Sequence, residues 1–175
     1  MKKIFIKTII ILFFTSFNLK AEIKPIIEGS VDAKVKLIVF ESLTCSHCAD
    51  FHKNVYPELK NEFIDSGLIL IEFKNFPLDM AAFNASKIAH CKNDGGSEIL
   101  HFLYENQDKW AKGKDLDELN KNLLNVIKLE NFDIDFNECL KNKEIEDHIL
   151  SDRINGVKKY KVNATPTIII NDEKF

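Results

Sequence analysis

The chain has 175 residues and a mass of 20.2 kDa, enough for one domain with its own core, and its 45% hydrophobic and 29% charged content excludes collagen-like, coiled-coil and wholly disordered classes. Residues 1–21 carry four lysines and no acids, so the remainder sets 20 basic against 27 acidic side chains, a net charge of −7. Such a surface, with no basic patch interleaved with aromatics, excludes nucleic acid as a partner.

Lys2, Lys3 and Lys7 precede an apolar run over residues 8–17, and Ala21 offers a small residue for cleavage. This reads as an export leader over residues 1–21, with a retained N-terminal anchor as the alternative because Leu19 and Lys20 make a poor cleavage signature. The run is too short to cross the hydrocarbon core comfortably, and no later segment approaches that length of apolar sequence. Export permits disulfides and so changes how the four cysteines are read.

Residues 26–29 and 36–41 read as strands, the second apolar enough to lie inside a sheet, with a turn at Asp32, Ala33 and Lys34. A helical stretch opens at Cys45-Ser46-His47-Cys48 and runs through Ala49, Phe51, Val55, Leu59 and Phe63, bent or interrupted by Pro57. Gly67 ends it and residues 68–73 form the next strand, giving a βαβ unit with parallel neighbours. Helices follow over residues 80–92, then from Ser97 with Ile99, Phe102, Leu103 and Trp110 on one stripe. A third is capped by Asp115 and carries Leu116, Leu119, Leu123, Val126 and Ile127. Residues 135–140 make a fourth, and a fifth from Lys143 aligns Leu150, Ile154 and Val157. A late strand covers residues 167–170. Phe40, Phe51, Phe63, Phe73 and Phe76 are expected in the core.

Cys45 and Cys48, placed where a strand hands over to a helix, are the strongest signal. A helix start directs unpaired N–H groups and partial positive charge at the first sulfur, which favours its thiolate, the reactive form. Two intervening residues let the second sulfur reach the first, so the pair can cycle between dithiol and disulfide. Cys45 is therefore read as nucleophile, Cys48 as resolving thiol and His47 as a cationic neighbour. Stabilising the thiolate stabilises the reduced pair and makes the protein an oxidant. The rival readings are an inert structural disulfide, a passive surface His47, and a zinc site using Cys45, Cys48 and His52 with His90 or Cys91. Haem attachment is excluded because Ala49 follows Cys48.

Pro166, between Thr165 and Thr167, has either a plain turn role or a cis bond that would expose the backbone at residue 165 to an extended substrate. Cys91 and Cys139 either bridge or remain free thiols. His52, His90, His101 and His148 read as structural, and the charge run over residues 141–147 as a solvated helix face.

The segment from Phe40 to Ala49 with Phe51, then Asn75-Phe76-Pro77-Leu78-Asp79, Cys91, and Val162-Asn163-Ala164-Thr165-Pro166-Thr167 together resemble the DsbA-type periplasmic thiol:disulfide oxidoreductases of the thioredoxin superfamily, most closely their alphaproteobacterial branch. The resemblance implies an α/β thioredoxin fold split by an inserted helical domain: residues 22–76 and 158–175 in the first, 77–157 in the second. It implies Cys45 as exposed nucleophile, His47 as its stabiliser, Thr165 and cis Pro166 as the substrate-binding face, and a structural Cys91–Cys139 disulfide. Reduced unfolded or folding proteins would be the partners, with a membrane quinone-linked oxidase for reoxidation, no bound cofactor, no metal, a periplasmic location and a monomeric state. The alternatives are an isomerase or reductase of the same fold, or a non-catalytic disulfide-stapled binding domain of the envelope.

Two departures from that family are evident. A carboxylate is common six residues before the nucleophile, where this chain has Val39; Glu41 lies on the same strand face and is the candidate proton relay for Cys48. Relatives also continue past the Pro166 strand with another strand and a final helix. The expectation is therefore a C-terminally incomplete domain, a fragment of a longer product, with residues 168–170 on an uncovered sheet edge.

Overall fold

The computed structural model describes residues 22–175; the leader expected over residues 1–21 lies outside them. Its strands are β1 (Ile26–Gly29), β2 (Val35–Glu41), β3 (Ile69–Asn75), β4 (Thr167–Ile170) and β5 (Glu173–Lys174). They form one sheet in the order β1-β3-β2-β4-β5, in which β2 and β3 run parallel and every other pairing is antiparallel. The parallel pair is joined through α1 (Ser46–Asn54), α2 (Tyr56–Leu59) and a π-helical turn (Lys60–Ile64). Between β3 and β4 stand α3 (Met80–Ala89), α4 (Glu98–Glu105), α5 (Gln107–Trp110), α6 (Leu116–Ile127), α7 (Phe136–Lys141) and α8 (Lys143–Tyr160). Among the described residues no helix is long and apolar enough to cross a membrane.

Strand alternation divides the core. Leu37, Val39, Ile71 and Phe73 share one face and pack with Cys48, Phe51, Leu103, Trp110 and Leu123 in a single cluster. Phe40 and Ile169 face the other way and pack with Phe76 and Val162. There α8 comes close because position 156 lacks a side chain: a Cβ on Gly156 would lie 2.7 Å from Phe40 Cε1. Asp79, Asp115, Asp135 and Asn142 each cap the helix that follows by accepting from its first-turn N–H groups.

Five expectations are corrected. The first helical stretch is interrupted as expected, at Val55 just ahead of Pro57, but the π turn brings Ile64 inward at 3% exposure while leaving Phe63 at 39%, outside the core where it was expected. The helix from Met80 ends at Ala89, since Asn93 and Gly95 both take positive φ in the turns that follow. The stretch from Ser97 to Trp110 is two helices divided at Asn106, whose side chain donates to Phe102 O at 2.9 Å. On α8 the buried face is Ile145, Ile149, Asp152 and Gly156, so Leu150, Ile154 and Val157 are exposed. Here the small Gly156 and the anchored Asp152 outcompete the larger apolar side chains. Finally, β4 is not a bare edge. Asn171 and Asp172, both at positive φ, turn the chain into β5, which pairs Ile169 with Lys174 and Ile170 with Glu173.

Candidate active site

β2 delivers its last residues to a loop that becomes α1, with Cys45 as the N-cap in an extended conformation (φ −78°, ψ 121°) and no side-chain cap on the first-turn N–H groups. Those groups and the positive end of the helix therefore lie at the Cys45 position. Cys45 is half-buried and Cys48 wholly buried, and both are free thiols. The Cys45 thiol donates to Thr165 O at 3.3 Å, and the Thr165–Pro166 bond is cis. The structure thus brings residues 45 and 165, 120 positions apart, into direct contact. His47 is exposed on the first turn of α1.

The loop is held from two sides. Gln107, at the start of α5, donates its side-chain amide to Leu43 O at 2.8 Å and to Cys45 O at 3.0 Å. Ser42 Oγ accepts from Leu78 N at 3.2 Å, and Thr44 Oγ1 donates to Asp79 Oδ2 at 2.7 Å. Asp79 in turn accepts from Ala82 N, so one carboxylate caps α3 and fixes the entrance to α1. Gln107 did not stand out in the sequence, since a lone polar side chain in a helical segment carries no periodic signal.

Cys48 sits in a dry environment with a second acid beside it. Burial pushes its thiol far above the usual range, opposed by a hydrogen bond to the Ser42 backbone and reinforced by the charges of Glu41 and Cys45. Glu41 is 4% exposed and pairs through Oε2 with His52 Nε2 at 2.8 Å, whereas its Oε1 has no hydrogen-bond partner among the described residues. Burial likewise raises Tyr104, which feels the charges of both Glu41 and Cys48. The rival zinc grouping is not assembled: His52 uses Nε2 on Glu41 and Nδ1 on His101, and Cys91 is bonded to Cys139.

That disulfide joins the turn after α3 to α7, with Cα atoms 5.4 Å apart. His52 and His101, read from sequence as structural, lie in the polar chain that ends on Glu41. The signal that could have found His52 is its spacing: four residues after Cys48 on α1, it shares the buried face of that helix. An outward sulfur and a sealed one within a helical turn can form and break a mutual disulfide, the inner sulfur exchanging its proton with buried groups.

The chain is similar to known proteins in sequence and in fold. A family model described as "Thioredoxin" matches residues 21–175. A putative protein-disulfide oxidoreductase of Rickettsia bellii is 28% identical over 156 residues, covering 87% of this chain and 59% of the relative. This chain therefore spans less than two thirds of that relative's length. A probable disulfide bond formation protein D of Bacillus anthracis is 30% identical over 151 residues, covering 82% of this chain and 68% of the relative. The crystal structure of Wolbachia pipientis alpha-DsbA1 superposes with a TM-score of 0.75 at 32% identity, over 86% of this chain and 78% of the other.

Proposed function

We propose, on the premise that this chain belongs to the thioredoxin family whose model it matches over residues 21–175, that it is a thiol:disulfide oxidoreductase donating a Cys45–Cys48 disulfide to reduced substrate proteins. The contrast between the two sulfurs carries the reading: one reachable at a helix start beside a cis-proline loop, the other sealed. A substrate thiolate attacks Cys45 Sγ of the oxidised pair, a substrate–Cys45 disulfide forms, and Cys48 leaves as thiolate and takes a proton. A second substrate thiolate attacks its own sulfur in that mixed disulfide and releases Cys45 as thiolate. The substrate loses two electrons and the pair gains them.

In this reading His47 favours the Cys45 thiolate and drives the exchange toward oxidation of substrate. The backbone at Thr165 and Pro166 pairs with the extended substrate strand. Glu41 supplies the Cys48 proton, and the Cys91–Cys139 disulfide holds the helical part, residues 77–157, against collapse. The substrates are reduced unfolded or folding proteins outside the cytosol, in a periplasm reached through the leader. A membrane quinone-linked oxidase restores the disulfide, and the working unit is a monomer without a bound cofactor.

The test is oxidative refolding of a reduced, disulfide-containing protein by the purified chain and by Cys45→Ala. The unmodified chain should accelerate refolding and the variant should not; equal rates would end the mechanism. Selective alkylation of reduced chain at mildly acidic pH should label Cys45 far faster than Cys48.

A further inference from the structure

Four side chains, one each from β2, α1, α4 and β1, make one unbroken line of hydrogen bonds. Glu41 Oε2 meets His52 Nε2 at 2.8 Å, His52 Nδ1 meets His101 Nδ1 at 3.0 Å, and His101 Nε2 meets Glu28 Oε1 at 2.7 Å. The line begins beside Cys48 and ends on the edge strand β1. Exposure rises along it: the Glu41 and His52 side chains are each 4% accessible, Glu28 and His101 14% and 19%. Both imidazoles are fixed by stacking, His52 on Tyr104 with ring centroids 4.0 Å apart and His101 on Tyr56 at 4.2 Å. Tyr56 also donates to the second oxygen of Glu28 at 2.6 Å.

Proton counting gives this line its meaning. Three hydrogen bonds among four groups need three protons, one in each bond. Two carboxyls and two imidazoles that share three protons carry a net charge of −1 however the protons are placed. Moving each proton across its own bond transfers that charge from one end of the line to the other. With the charge on Glu28, Glu41 is a neutral acid; with it on Glu41, Glu28 is the acid. No atom other than hydrogen has to move.

We propose that His52, His101 and Glu28 form a proton conduit between solvent and the buried sulfur of Cys48, acting through Glu41. The inference rests on the disulfide-donor reading above. When the Cys45–Cys48 bond breaks, the electron pair stays on Cys48, and that sulfur takes a proton carried on Glu41 Oε1, the oxygen outside the line. The line keeps its three protons, and its charge of −1 now sits on Glu41. Each proton then crosses its own bond, from His52 to Glu41, from His101 to His52 and from Glu28 to His101, so the charge arrives on Glu28, the end of the line that exchanges protons with water. Reoxidation runs the line in reverse: the three protons cross back and Cys48 gives its proton to Glu41 Oε1. A buried thiolate that could not be neutralised would be returned to the disulfide, so the conduit controls how fast the substrate–Cys45 intermediate commits.

Other charged and titratable groups face the line at its ends. Lys60 Nζ lies 4.0 Å from Glu28 Oε2, and Tyr56 and Ser97 hydrogen-bond Glu28; Tyr104 and Cys48 face Glu41. None of them interrupts the three bonds.

The test follows single-turnover reduction of the oxidised chain by a reduced dithiol peptide, read by rapid quenching with an alkylating agent across pH. In His101→Gln the step should slow about 10- to 100-fold near neutral pH, in line with loss of a positioned proton donor. The alkylation rate of Cys45 in the reduced chain should stay as it was, and added imidazole should restore part of the rate. In the unmodified chain the rate should fall in deuterium oxide along a curve in isotope fraction, the mark of several protons in flight; this measurement stands even if the variant does not fold. A His101→Gln chain that folds and matches the unmodified rate at every pH, or an isotope dependence that is absent or linear, would overturn the conduit. An unmodified chain that the dithiol cannot reduce would overturn the parent reading and the conduit with it, a result distinct from a reactive chain whose variant is equally fast.

Discussion

His90 should make the fold lose stability as the pH falls from about 6.5 to about 4. It is 3% exposed at the C-cap of α3, and its protonation is blocked by a definite arrangement of donors. Asn75 Nδ2 donates to Asp152 Oδ2 at 2.9 Å, which fixes the amide because a carboxylate only accepts. The other hydrogen of that Nδ2 meets His90 Nε2 at 2.9 Å, so Nε2 has to be bare. Burial and the neighbouring His148 charge pull the imidazole from its ordinary 6.5 down to about 4, against the opposing pull of Asp152 and the Lys24 carbonyl.

The unfolded chain therefore binds a proton at this residue below 6.5, which the folded chain refuses until about 4. Stability is whole above 6.5 and declines through that window, by about 3 kcal/mol at 1.36 kcal/mol per pH unit. Urea unfolding of the chain and of His90→Gln at a series of pH values isolates the effect, since glutamine offers Asn75 an acceptor that does not titrate. The stability difference between the two should change by that amount across the window. Parallel curves would show that His90 is protonated in the native state and that the donor argument is wrong.

Glu28 acts lower on the scale. Burial works against its charge but is outweighed by the hydrogen bonds from His101, Tyr56 and Ser97, which hold it at about 2 against an ordinary 4.5. After discounting for solvent screening of this partly exposed carboxyl, about 1–2 kcal/mol of stability present above 4.5 should be lost as the pH falls toward 2, and acid titration of Glu28→Gln should lack that loss. Removing the Cys91–Cys139 bridge by a double serine substitution should cost about 4 kcal/mol from the loop of 48 residues it closes, measured by chemical unfolding. Gly156→Ala should destabilise by about 1–2 kcal/mol despite alanine's better helix propensity, because the new methyl lies 2.7 Å from the buried Phe40 ring. An unchanged unfolding midpoint would mean that α8 shifts freely.

The sequence signals that survived were those set by short-range chemistry. The Cys45–Cys48 spacing, the Asp115 cap and the alternating strand residues each depend on neighbours a few positions away, and the structure carries them at those places. Among the long-range pairings, the parallel β2–β3 neighbours were legible from the βαβ pattern, whereas Thr165 beside Cys45 rested on reading a cis bond at Pro166 and on the resemblance. The misjudged helix face has a clear cause. The stripe of Leu150, Ile154 and Val157 looked like a buried face because periodicity records which residues could be inside, whereas the partner surface decides which are. Phe40 needs a gap, so Gly156 faces it. In the same way two histidines 49 positions apart look unrelated until α1 and α4 are packed side by side.

The amide of Gln107 has a mechanical consequence. Its two hydrogen bonds reach from the helical segment into the carbonyls of Leu43 and Cys45, so the loop bearing the outer sulfur is tethered to a different part of the chain from the strand that delivers it. Any swing of α5 away from the sheet must either pull that loop along or snap both bonds first. The reactive thiol consequently inherits the stiffness of the helices above it, and its aim toward residue 165 is a property of the whole molecule instead of one turn.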